Sequence, residues 1–380
     1  MSAASVSSEK AEFRVLAPGD PAPWFRQNST SNPNYAFDTV AGRYVVLGFF
    51  GSAGDEAGRS ACATIESNRA VFDDDHACFF GVSFDPGDQG RLREAMPGIR
   101  YFWDFDGTIG RLYGALPLDA KPGSGPVSAR RFWIVLDPML RVRNVVPFRP
   151  DGSDRAEIAE ILRQLPPVVG FAGIEIPAPV LVIPSVFEPD FCRRLIGLYE
   201  EHGGEESGFM REVDGRTVAV HDPNHKRRKD FTITDPELIR QVQGRIVRRV
   251  NPEIEKVHFF KATRMERYIV SCYAAEDGGH FRPHRDNTTK GTAHRRFAVS
   301  INLNDDFEGG EVRFPEYGPR SYKAPAGGAV VFSCSLLHAV SKVTAGRRFA
   351  FLPFLYDEAA ARIREDNNRF LAEGSGIYKA

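Results

Sequence analysis

The chain has 380 residues, more than one typical domain, and its 42% hydrophobic and 26% charged content is that of an ordinary soluble globular protein. Lys plus Arg number 49 against 50 Asp plus Glu, so there is no global basic field to gather nucleic acid or an anionic membrane. No apolar run approaches the roughly 20 residues of a membrane helix, and residues 1–10 hold no apolar core of signal-peptide length. The five scattered cysteines, Cys62, Cys78, Cys192, Cys272 and Cys334, read as reduced thiols rather than a disulfide framework, and a cytoplasmic protein is expected.

From Phe13 to about Leu165 the pattern alternates strands with helices. Tyr44–Phe50, Cys78–Phe84 and Arg131–Leu136 are short apolar runs of the buried-strand kind. Helical composition fills 57–72, and Ser153–Leu165 reads as a closing helix capped by Ser153 or Asp154. Such alternation predicts an α/β layer fold. The opening Leu16-Ala17-Pro18-Gly19-Asp20 to Phe25, and Trp103-Asp104-Phe105-Asp106-Gly107 with Leu112-Tyr113-Gly114-Ala115, resemble a thioredoxin-like fold of the peroxiredoxin type. The resemblance implies a threonine and a peroxidatic cysteine where this chain has Asp55 and Gly58. In the thioredoxin register the two cysteine positions fall on Gly54 and Ala57. Without a thiolate at a helix N-terminus a thiol peroxidase has no nucleophile. Domain 1–165 therefore reads as redox-inactive, with Cys62 one turn further along as the alternative thiol. Arg130 and Arg131 match the family's pocket arginine or are solvated residues before a strand.

A Pro- and Gly-rich stretch, 166–179, predicts an extended linker, and 180–380 a second domain. Helices are expected from about Phe191 to Glu200, with Asp190 or Glu188 near its start, and from Pro236 to Val250. Between them the basic run His225-Lys226-Arg227-Arg228-Lys229 is either a mobile loop over a site or a solvated charge run. Short strands follow at Met265–Tyr273, Phe297–Leu303, Glu311–Phe314, Ala329–Phe332 and Arg348–Leu355, then a charged helix over Asp357–Ala372.

The chemistry gathers at His284-Arg285-Asp286. A His and a carboxylate two residues apart at a strand end point the same way and reach one ion. His338, closing the apolar run 329–337, supplies a third ligand, and two imidazoles with one carboxylate suit ferrous iron. From Val180 to Tyr356 the ordered series Tyr273 to Asp286, Ser300-Ile301-Asn302-Leu303-Asn304, Phe307 to Phe314, Pro325 to Ala329, and His338-Ala339-Val340 to Phe349 resembles the Fe(II)/2-oxoglutarate-dependent dioxygenases of the prolyl-4-hydroxylase-like branch. The resemblance implies a double-stranded β-helix, or jelly roll, with Fe(II) on His284, Asp286 and His338. It also implies 2-oxoglutarate and O2 as co-substrates, ascorbate as a reductant, and a hydroxylated protein, peptide or small-molecule substrate. It places the distal carboxylate of 2-oxoglutarate on Arg348, ten residues past His338, with Tyr273 as hydroxyl partner. Arg347 should point the other way on the same strand. His258, His280 and His294 read as structural or surface residues, and Asn302 and Arg296 as residues that line the pocket or merely fill the barrel. The rival readings are a thiol peroxidase or redox sensor using Cys62 and a non-catalytic binding protein.

Overall fold

A computed structural model describes residues 11–121, 128–372 and 378–379; residues 1–10, on which the leader reading rests, lie outside them. The chain forms two compact units. One runs to Ile176 and takes in Pro315–Gly318; the other comprises Pro177–Phe314 and Pro319–Ala380.

The first unit is built on a five-stranded sheet ordered Ile99–Trp103, Ala77–Ser83, Tyr44–Gly51, Phe132–Leu136, Val142–Pro147. The first three strands are parallel and the last two antiparallel. The three inner strands are buried almost throughout because both faces of the sheet are covered, which is why they read as continuous apolar runs. On one face, helices Glu56–Ser67 and Ser153–Arg163 bring Ala61, Ile65, Ile158 and Leu162 onto Val46, Phe79 and Trp133. On the other, Phe25 and Phe37 meet Phe102 and Phe80 edge to face, and Tyr113 packs tilted on Phe49.

The first helix stops at Ser67, and a 3-10 turn, Arg69–Val71, follows, so the expected helix to 72 is too long. Neither Ser153 nor Asp154 caps the second helix. Gly152 holds that position in the left-handed region (φ +72), and Asp154 instead turns inward to accept from the Trp133 indole at 3.0 Å. The stretch 166–179 is not wholly extended either, since Val168–Gly170 forms a 3-10 turn.

Asp55 caps the first helix, accepting from Gly58 N at 2.9 Å, and Arg131 grips the same carboxylate at 3.0 and 2.5 Å. Gly58 has no room for a side chain: a Cβ there would stand 1.8 Å from the Ser52 carbonyl oxygen. Cys62 is mostly buried, and burial, with Asp88 nearby, pushes its thiol up to about 11, away from the thiolate a peroxidase needs.

In the second unit a nine-stranded antiparallel sheet runs Arg264–Glu266, Phe354–Tyr356, Phe297–Asn302, Arg347–Phe351, Ile269–Ala274, Lys229–Thr232, Glu205–Glu206. Ala329–Ser333 pairs with Phe297–Asn302, and Leu181–Ile183 with Ala329–Ser333. A five-stranded sheet, Lys226–Arg227, His280–His284, His338–Val340, Val312–Arg313, Ser321–Tyr322, contributes to the same interior. Period-two alternation divides the larger sheet. Val270, Cys272, Ala274, Val299, Ile301, Phe349 and Phe351 face outward onto Phe191, Leu195, Leu238, Val242 and Ile246 of helices Pro189–His202 and Pro236–Arg249. Tyr273, Ser300 and Arg348 face inward and line a pocket. The arrangement is β-rich and consistent with a jelly roll.

Three strand boundaries differ from expectation. Met265–Tyr273 is two strands, broken at Arg267, whose φ of +68 turns the chain; Arg348–Leu355 is broken before Pro353, which has no N–H for the ladder; and only Val312–Arg313 of 311–314 pairs. Helix Asn251–His258 is unanticipated; Pro252 stands in its first turn, where its missing N–H costs nothing. Glu188 makes no capping bond; Arg245 and Arg249 hold it at 2.7 and 2.5 Å. The charged helix spans Glu358–Asp366, capped by Asp357, and gives way to a 3-10 turn. No helix among the described residues is long and apolar enough to cross a membrane.

Introducing a thiol into the first helix by Gly58→Cys is expected to destabilise the fold by about 2–3 kcal/mol, the scale of overpacking against rigid backbone. A lowered denaturant midpoint with no gain in peroxide consumption would show it.

Candidate active site

His284 ends strand His280–His284, and His338 opens strand His338–Val340 rather than closing the preceding run. The two are cross-strand partners in the smaller sheet. Asp286 lies just beyond the strand end, fixed by its N–H to the Cys334 carbonyl at 2.9 Å. Its Oδ1 is 3.5 Å from His284 Nε2 and its Oδ2 3.2 Å from His338 Nε2. Ligand bonds of about 2.1 Å at right angles place donor atoms about 3 Å apart, so these side chains stand at the spacing an ion requires. All three ligand atoms lie within 4.8 Å of one another.

Both histidines present the correct nitrogen. His284 Nδ1 meets the Arg282 carbonyl at 2.8 Å and His338 Nδ1 the Leu336 carbonyl at 3.0 Å. A carbonyl can only accept, so each Nδ1 carries the hydrogen and Nε2 is the ring nitrogen that faces Asp286. Burial, helped by His338, pulls His284 down to about 4, so it is neutral at physiological pH. Burial pushes Asp286 the other way, but the two imidazoles outweigh it and hold the carboxyl well below its usual range. Phe281 stacks on His284 with centroids 3.5 Å apart, and Phe332 lies 4.6 Å from His338, fixing the rings from outside.

The same pocket, partly open to solvent, carries a buried cation at its wall. Arg348 is 2% exposed; its Nε donates to Asn302 Oδ1 at 3.0 Å and its Nη2 to Ser300 Oγ at 2.7 Å, while Nη1 has no partner. Arg347 points outward to Glu200 at 2.9 Å, as strand alternation requires. Tyr273 is the cross-strand partner of Arg348, whose guanidinium stands 5.3 Å from the ring centroid. Gly310 (φ +67) lets the chain pass close by: a Cβ there would lie 3.1 Å from Arg348 Cδ and 2.9 Å from Val343 Cγ2.

The basic run 225–229 is neither a mobile loop nor a solvated run. It is woven into both sheets, with Lys226 and Arg228 each 5% exposed. Arg228 lines the pocket and donates to Asp230 Oδ2 at 2.6 Å, Ser207 Oγ at 3.0 Å and Tyr273 Oη at 3.3 Å. Asp230 also takes Ser207 and Ser271 hydroxyls at 2.5 and 2.6 Å and Arg267 at 3.2 Å. Arg228, Asp230 and Ser300 are the residues sequence reasoning missed; the signal for the first two was a pair of opposite charges at i and i+2 on a strand. Asn302 belongs to the site through Arg348, whereas Arg296 donates to the Ala293 carbonyl away from it. Of the other histidines, His280 Nδ1 meets the Gly278 carbonyl, His258 packs on Phe297, and His294 stands 3.2 Å from Glu266.

Residues 268–356, the stretch that carries the triad, match the 2OG-Fe(II) oxygenase superfamily. The C-terminal unit carries a 2OG-Fe(II) oxygenase domain. Among curated relatives, a PKHD-type hydroxylase of Pseudomonas fluorescens Pf0-1 is 28% identical over 207 residues, 50% of this chain and 83% of that protein. Another, from P. fluorescens Pf-5, is 36% identical over 112 residues, 27% of this chain and 47% of that one. Among solved structures, a Pseudomonas putida prolyl-4-hydroxylase aligns over 48% of this chain and 94% of its own, at 17% identity and a TM-score of 0.37. A Trichoplax adhaerens prolyl hydroxylase in complex with a hypoxia inducible factor peptide fragment aligns over 54% and 94%, at 16% identity and a TM-score of 0.37. The oxygenase domain makes this chain an Fe(II)- and 2-oxoglutarate-dependent dioxygenase that hydroxylates a substrate, with Fe(II), 2-oxoglutarate and O2 as its requirements.

Elsewhere in the C-terminal unit, burial pushes Asp230 up, but Arg228 and Arg267 overcome it and hold the carboxyl well below the usual range. A depressed carboxylate stabilises the fold above its unfolded pKa of about 4 and loses that contribution as pH falls through the lower folded value. Asp230→Asn should therefore cost about 3 kcal/mol at pH 7 and flatten the loss of stability below about pH 4, seen in denaturant midpoints measured against pH.

Proposed function

We propose that His284, Asp286 and His338 hold the Fe(II), and that Arg348 and Tyr273 bind the distal carboxylate of 2-oxoglutarate. The observation that carries this reading is the convergence, in one pocket, of two imidazole Nε2 atoms and a carboxylate with a buried arginine whose Nη1 lacks an acceptor. When bound, iron and 2-oxoglutarate supply the coupled conversion of R–H, O2 and 2-oxoglutarate to R–OH, succinate and CO2. The protein's part is to bind and exclude. Arg348 meets a carboxylate with a fork already held by Ser300 and Asn302, and loses little further freedom on binding. Val312, Phe332, Val340 and Leu352 wall the pocket and keep water from the reacting carbon.

The substrate on this reading is a protein or peptide side chain, or a small metabolite, with ascorbate as a reductant. Domain 180–380 does the chemistry, 166–179 connects, and 1–165 is a thioredoxin-like, redox-inactive domain that serves as scaffold or partner-binding face. Three parallel strands followed by two antiparallel ones, and the closed space at Gly58, support the last point. A cytoplasmic setting accords with five free cysteines.

Succinate release from 2-oxoglutarate by the iron-loaded full chain, over panels of peptides and free amino acids, tests the reading. His338→Ala and Asp286→Ala should each lower it by at least about 100-fold, since loss of a metal ligand removes the reaction centre, while Cys62→Ser leaves it unchanged. Peroxide consumption abolished by Cys62→Ser, with no 2-oxoglutarate turnover, would move the activity to the first unit.

A further inference from the structure

Resting on that reading of the site, we infer that Arg228 is a positioning residue that aims the Tyr273 hydroxyl at the co-substrate and so sets the preference for a dicarboxylate over a monocarboxylate 2-oxo acid. Its contact with Tyr273 has only one polarity. A guanidinium has no acceptor, so at 3.3 Å Arg228 Nη1 donates and the phenol oxygen accepts. The hydroxyl's own hydrogen is then left to point elsewhere.

Arg228 cannot drift from this role. Its Nη2 is shared between Asp230 Oδ2 and Ser207 Oγ, and Asp230 is held in turn by Arg267 and Ser271. Two guanidinium groups approach Tyr273, Arg348 at 5.3 Å and Arg228 at 5.7 Å from its ring centroid. One of them occupies the phenol oxygen, and the other keeps Nη1 unpartnered although buried. Two donors in one pocket, the Tyr273 O–H and Arg348 Nη1–H, thus lack an acceptor that a carboxylate with two oxygens supplies. A charged donor on the phenol oxygen also polarises the O–H and strengthens its outgoing bond. A 2-oxo acid without a distal carboxylate makes neither bond and should not sense Arg228.

Anaerobic calorimetry on the Mn(II)-loaded full chain would measure Kd for 2-oxoglutarate and for 2-oxobutyrate in wild type, Arg228→Met, Arg228→Lys, Tyr273→Phe and the Arg228→Met/Tyr273→Phe double variant. Arg228→Met should weaken 2-oxoglutarate about tenfold and change 2-oxobutyrate by less than about twofold, the scale of one charge-assisted hydrogen bond. The double variant should bind 2-oxoglutarate like Tyr273→Phe alone, because both substitutions remove the same bond. Arg228→Lys keeps the charge beside Asp230 but not the fork, so it guards against loss of folding and should still lower the selectivity ratio at least about threefold. Parallel weakening of both acids, additive single effects, or an unchanged ratio in Arg228→Lys would overturn the inference while leaving the reading of the site intact. A wild type that binds neither 2-oxo acid would overturn that reading itself, and the inference with it.

Discussion

The tautomer of two histidines is the constraint on which the site depends. His284 and His338 each direct Nδ1 to the carbonyl two residues earlier in the chain, Arg282 and Leu336, and this local bond is what leaves Nε2 free to act as a ligand. The pattern is made by backbone, so it costs no other side chain its freedom. Strand pairing supplies the rest, because His284 and His338 are direct partners in the smaller sheet and Asp286 follows as the chain leaves it. A slip of one residue in that register would send both rings to opposite faces.

Around this centre the C-terminal unit buries the guanidinium groups of Arg228 and Arg348. Arg348 is sealed with neutral partners only, Ser300 and Asn302, whereas Arg228 and Arg267 share Asp230. Arg348 and Arg228 each keep one buried nitrogen without a partner, Nη1 and Nε respectively, so the carboxylate makes the difference: Arg228 is already matched by Asp230, whereas Arg348, matched by dipoles alone, suits an incoming anion. That contrast separates the residue that meets a ligand from the residues that hold it in place, and it is the physical basis for treating Arg228 as support for Tyr273.

Much of this was legible in the sequence. Inward and outward positions on the larger sheet follow strict alternation, which is why Arg348 could be told from Arg347 before any coordinates. The convergence of His284, Asp286 and His338 could be anticipated from the whole ordered series of motifs between Tyr273 and Phe349, because a His and a carboxylate at i and i+2 are by themselves a weak signal. Illegible features depend on distant partners. Arg228 lies in a five-residue basic run that reads as solvated, and only pairing with Ile269–Ala274, together with Ser207 and Arg267 from other parts of the chain, turns it inward. Helix Asn251–His258 was hidden because Pro252 marks either a stop or a first turn, and the packing of Ile254 decides between them. That no side chain fits at Gly58 was not legible, because the Ser52 carbonyl that fills the space comes from the preceding loop.

The most direct measurement is an anaerobic absorption titration of the metal-free full chain with Fe(II) and then 2-oxoglutarate, beside His338→Ala. The account predicts a visible metal-to-ligand charge-transfer band that grows to one equivalent of each and is lost in His338→Ala, because a 2-oxo acid chelates iron only where the ion is already held. A folded wild-type protein that shows no band, or a band that survives in His338→Ala at unchanged Fe(II) affinity, would contradict it.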